Sequence, residues 1–222
     1  PLGENPNYEP TIEESVAGIA KKCGQDVMEA MYEMLIAGEG RELFYQPLGG
    51  YQSYSLDHQK KLLEHPNVLF GLSDGGAHCG VIADAGMPTF IMTHWGRDRT
   101  RGEKLPLEFI VKSLTSSTAE AFGMHDRGSL QKGKIADINI IDFDALRLFR
   151  PEAVFDLPAG GRRLVQRAEG YEATIKAGEI IFYNGIGSGN LSVGTRGFGG
   201  SPQDAHFVND QAFKYEFNGI SL

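Results

Sequence analysis

Near the start of the chain, apolar residues recur at helical spacing: Ile12, Val16, Ile19 and Ala20 form one stripe, and Val27, Met31, Met34 and Leu35 a second. Before the first stripe, Thr11 and Glu14 stand as T-x-x-E after Pro10, a capping box that satisfies free N–H groups, and Gly24 supplies a stop. The second stripe starts near Asp26 and ends at Gly38, so the pattern predicts two amphipathic helices. Residues 42–46 are aromatic and bounded by Pro47 and a glycine pair, which predicts a strand. Ser55 caps a further helix through Leu62 and Leu63, and Pro66 stops it. Residues 68–72 form an apolar run without alternation, the pattern of a strand covered on both faces. Strand, helix and strand in that order imply a right-handed parallel crossover. A helical region returns at 105–122, with Phe109, Ile110 and Leu114 inward and Gly123 at its end.

Beyond Gly123 the texture changes to short strands and tight turns. Residues 128–133 form a turn region, 135–143 alternate and then run apolar, and 174–176 can pair with 180–182 across Ala177 and Gly178. A β-rich module is therefore expected from near His125. Seven glycines crowd residues 185–200 with little apolar periodicity, which predicts a mobile tail. The expected units are 1–124, 125–184 and 185–222.

Composition narrows the function classes. The 222 residues are 41% hydrophobic, enough for a sizeable core, and 21 Lys+Arg against 29 Asp+Glu give a net charge of −8. That field repels phosphate backbones and argues against nucleic acid as a partner. Two cysteines, Cys23 and Cys79, cannot make a disulfide framework, and a cytoplasmic location fits. No apolar run approaches the roughly 20 residues of a membrane span, so no membrane partner is expected. The chain opens on Pro1 rather than Met, which suggests a processed, engineered or truncated start.

The richest chemistry lies at 72–80, where Asp74, Gly75, Gly76, His78 and Cys79 follow the apolar run. In α/β architectures ligands and catalytic groups collect at the C-terminal ends of such strands. An Asx-turn is the alternative for Asp74, and spacing alone favours it. His78 could ligate a metal, or act as a hydrogen-bonded histidine that orients a neighbour. Cys79 beside it would suit a thiol nucleophile, although lone cysteines are more often small core residues. Arg97 and Arg99 could clamp a substrate carboxylate, or form ion pairs with Asp98 or Glu103. No H-x-H, H-E-x-x-H or C-x-x-C occurs, so most ligands of any tightly held metal would lie outside this chain.

As a group, the segments G-L-S-D-G-G-A-H at 71–78, T-H-W-G-R-D-R at 93–99, D-R-G-S-L-Q-K-G-K-I-A-D at 126–137 and D-L-P-A-G-G-R-R at 156–163 resemble the D-aminoacylase (N-acyl-D-amino-acid deacylase) branch of the amidohydrolase superfamily. The likeness runs from Pro10 to about residue 185. It implies an α/β fold: residues 1–124 as the C-terminal part of a (β/α)8 barrel, then a small β-sandwich at 125–184. It also implies a zinc-dependent hydrolase of N-acyl-D-amino acids or related amides. Asp74 would be catalytic and touch the metal, with Arg97, Arg99 and His78 beside the substrate. The superfamily's other metal ligands have no counterpart here, which leaves a second expectation: a noncatalytic subunit that completes a barrel by association, so oligomers are allowed.

Overall fold

A computed structural model of the chain describes residues 2–71 and 78–184. Local signals set the early helices as the pattern implies. The Thr11 N–H donates to the Glu14 carboxylate at 2.7 Å, but the box holds only a 3-10 turn, Ile12–Glu14. Ser15 then caps α1, Val16–Cys23, by accepting from the Gly18 N–H at 3.0 Å, and Gly24 closes it in the left-handed conformation. Asp26 caps α2, Val27–Ile36, accepting from Met28 N–H at 2.8 Å and Glu29 N–H at 3.3 Å. Ser55 accepts from the Asp57 N–H at the start of α3, Asp57–Leu63.

The strand expected at 42–46 does not form, nor does the one expected at 68–72 over its described part, 68–71, and this corrects the parallel crossover inferred from them. An extended segment counts as a strand only when a neighbour accepts and donates along its edge, and none lies beside these two among the described residues. Only the Leu2 N–H reaches the Leu43 carbonyl, at 2.7 Å. Nor is 68–71 covered on both faces: Phe70 enters the core while Val68 and Leu69 face outward.

A helix that the apolar pattern left unassigned organises the middle of the chain. It begins as α4, Met87–Phe90, with Pro88 in its first turn, and continues as a π-helical segment, Ile91–Asp98. Wide π turns are rare and recur at functional sites. This one buries Ile91, Met92, Thr93 and Trp95. Gly96 permits close approach, because a Cβ there would stand 3.2 Å from Ile110 Cδ1. The helical region 105–122 divides at Thr115 into α5, Leu107–Leu114, and α6, Ser116–Ala121.

All strands among the described residues follow residue 137 and pair antiparallel. They are β1 Ile138–Ile141, β2 Arg147–Leu148, β3 Glu152–Leu157, β4 Gly161–Val165, β5 Ala168–Glu169, β6 Tyr171–Lys176 and β7 Glu179–Tyr183. One sheet runs β1-β6-β7, and β2-β5 and β3-β4 form two-stranded ribbons. The hairpin between β6 and β7 turns on Ala177 and Gly178, at φ 51 and 84, as a two-residue turn with both φ positive requires.

One apolar core joins the helical and strand regions. Phe70, Ile91, Met92, Trp95, Leu105 and Ile110 pack with Leu146, and Ile141, Phe143 and Tyr171 lie against them. At about 25 cal/mol per Å² of apolar surface removed from water, such shared burial is the main term holding the two regions together. The content is thus mixed α and β. Among the described residues no helix is long and apolar enough to cross a membrane.

Candidate active site

Asp74 lies outside the described residues, so its side chain has no geometry here. The chain re-emerges at His78, exposed and at φ +46, whose carbonyl accepts from the Val81 and Ile82 N–H groups at 2.9 and 3.0 Å. This turn docks on β4. The Leu164 N–H donates to the Cys79 carbonyl at 2.6 Å, and the Arg162 guanidinium to the Gly80 carbonyl at 2.9 Å. The β-rich region therefore anchors the segment that follows Asp74. Both cysteines are free thiols, with Cys23 exposed and Cys79 half-buried.

The two arginines of the 93–99 segment are both fully engaged. Arg97 Nε and Nη2 meet the Asp98 carboxylate at 2.6 and 3.0 Å, the ion pair that the sequence allows. Its remaining donors reach the carbonyls of Phe143, Asp144 and Leu146, which tie the π-helix to the loop before β2. Arg99 is 2% exposed, and its guanidinium lies 4.7 Å over the Trp95 ring. Its partners are Glu9, at 3.0 and 2.9 Å, Asp57 at 2.7 Å and the Glu103 carbonyl at 2.9 Å. Gly102 makes room, since a Cβ there would stand 2.6 Å from Arg99 Nη1. In this arrangement neither guanidinium presents a free fork to a substrate carboxylate.

Glu9 is the residue that the sequence did not flag. It is 2% exposed, and its carboxylate takes the two Arg99 bonds, the Leu56 N–H at 2.9 Å and His94 Nε2 at 3.2 Å. Burial alone would raise its carboxyl, but the Arg99 and Leu56 hydrogen bonds outweigh it and hold the group below the usual carboxylate range. Burial lowers the His94 imidazole below its usual value, against the opposing pull of Glu9. No local motif could have revealed Glu9, because its partners stand far away in sequence. His94 sits in the quoted segment, and its helical spacing from Phe90 was the one available signal.

His94 stacks on Phe90 with ring centroids 4.7 Å apart and planes at 8°. Both rings line a cleft of about 360 Å³ between the segment 4–9, the π-helix and the residues from Arg147 to Phe149. Tyr8 forms part of its wall. Burial pushes the Tyr8 hydroxyl up to about 12, although the Gln166 amide donates to it at 2.9 Å.

Among the described residues, no three His, Cys, Asp or Glu side chains converge as a metal site would need. The described residues therefore do not by themselves fit a zinc ion.

A model described as the amidohydrolase family aligns with residues 26–182, well over half of the chain and inclusive of Asp74. No curated protein and no solved structure matches.

Proposed function

Because the chain belongs to the amidohydrolase family, we propose that this hydrolase cleaves amide carbon–nitrogen bonds other than peptide bonds, with N-acyl-D-amino acids or related amides as its substrates. The observation that carries the proposal is the matched span 26–182, which includes Ser73-Asp74-Gly75-Gly76-Ala77-His78 together with the Trp95-to-Arg99 segment. Asp74 is assigned the proton transfers. Its carboxylate removes a proton from the water that attacks the amide carbonyl, and returns it to the departing amine as the carbon–nitrogen bond breaks. Carboxylate and amine are the products. Zinc is the proposed cofactor, and when bound such an ion acidifies water and polarises a carbonyl oxygen. This chain would contribute Asp74 to the ion, with the other ligands supplied from outside these residues. His78, four residues on, is placed near the substrate; Arg97 and Arg99 act at one remove, by fixing the π-helix and its surroundings.

The test is hydrolysis of N-acetyl-D- and N-acetyl-L-amino acids by the protein expressed from its complete reading frame, with zinc or a chelator. D-selective, chelator-sensitive turnover is expected, falling about 10²- to 10⁴-fold in Asp74→Asn. Unaltered turnover in that variant would remove Asp74 from the mechanism.

A second proposal, a noncatalytic subunit that completes a barrel by association, draws support from the exposure of Leu62, Val68 and Leu69, the last two in a segment that has no strand partner among the described residues. Sedimentation velocity decides it: a folded monomer of 24.3 kDa would dismiss obligate pairing.

A further inference from the structure

We propose that the cleft between the segment 4–9 and β2 binds a small carboxylate with a flat apolar body. Its charges carry the argument. Glu4, Glu9 and Asp98 line the cleft, and each already has an arginine: Arg150 at 3.1 Å, Arg99 at 2.9 Å and Arg97 at 2.6 Å respectively. The cations left over are Arg101 and Arg147. Arg101 spends Nη1 on the Glu9 carbonyl at 2.6 Å and the Tyr51 hydroxyl at 3.2 Å, which leaves its other nitrogens unspent among the described residues. The Arg147 side chain makes no hydrogen bond or ion pair among the described residues. Its guanidinium instead lies 4.1 Å over the Phe149 ring, which holds its plane in place. A fixed planar fork with free donors matches a carboxylate in two parallel hydrogen bonds.

The walls select the rest of the ligand. Tyr8, Phe90, His94 and Phe149 surround the cleft with rings. Burial raises the Tyr8 hydroxyl to about 12 and holds the His94 imidazole below its usual value, so burial disfavours the charged form of both rings. The volume of about 360 Å³ falls within the range of roughly 300–1,000 Å³ typical of small-molecule sites. Apolar rings beside a guanidinium fit an aryl or cyclic carboxylate better than a bare phosphate. None of this depends on hydrolysis or on Asp74.

The experiment is calorimetric titration of the 222-residue chain with benzoate, and separately with inorganic phosphate. Saturable one-to-one binding of benzoate is expected, weakened at least tenfold in Arg147→Gln and unchanged in Arg127→Gln. Arg147 is exposed on a two-residue strand, so the fold tolerates its replacement, and the emission of Trp95 verifies this. Absence of saturable benzoate binding, or equal affinity in Arg147→Gln, would overturn the proposal. Phosphate binding as tightly as benzoate would overturn the part assigned to the rings.

Discussion

Replacing Glu9 with Gln removes the charge against which Arg99 is buried. Arg99 then keeps one anionic partner, Asp57, whose side chain is 59% exposed, while its own side chain is at 0%. Breaking a buried pair by deleting one member costs about 3–5 kcal/mol, since the other charge is left uncompensated in a low dielectric. The surviving Asp57 contact and the retained amide hydrogen-bonding capacity put the expected loss near the lower end, about 3 kcal/mol. Trp95 is the single tryptophan, is 3% exposed and lies beneath Arg99, so its emission reports the loss of this packing directly. With a urea dependence of about 2 kcal/mol per M, the unfolding midpoint should fall by about 1.5 M. A shift below about 0.5 M would refute the claim that this pair is desolvated and interdependent. The double variant Glu9→Leu, Arg99→Met sharpens the test. Apolar residues of similar volume should recover most of the loss, because a buried ion pair mainly offsets its own desolvation.

Acid should weaken the same region in two steps. His94 is held below its usual value, so the unfolded chain binds its proton first and stability declines once pH drops below about 6.5. The Glu9 carboxyl is also depressed; its contribution is complete above about 4.3 and is lost as pH falls through the lower folded value. Urea midpoints measured from pH 8 to 3 should trace both, and Glu9→Gln should shrink the lower step, leaving the part that Asp57 and other depressed carboxyls contribute. Gly170→Ala should cost about 3 kcal/mol in the same assay, for two reasons. The new Cβ would stand 2.5 Å from Leu146 Cα, and φ there is +92. Ala177→Asn should raise the melting temperature, by about 0.5 to 1 kcal/mol of stability, because Asn tolerates the φ of 51 in this turn better than Ala.

What the sequence by itself determined is local. Gly24, Asp26 and Ser55 announced helix ends, and Ala177-Gly178 announced a hairpin, because each acts on backbone groups within four residues of itself, whereas the Thr11 box set only a 3-10 turn and Ser15 capped the α-helix after it. The motif segments were equally legible, and the match over residues 26–182 bears out the amidohydrolase superfamily. Tertiary structure decided the rest. The runs at 42–46 and 68–71 have strand composition, but a strand exists only where another chain segment completes its hydrogen bonds, and period and propensity cannot supply one. Arg97 and Arg99 looked alike as guanidiniums two residues apart. Their fates diverged because one meets carbonyls of the loop before β2 and the other a carboxylate 90 positions earlier in the chain. Only folding brings such groups together, and burial then turns a pair of ordinary charges into a constraint on the whole core.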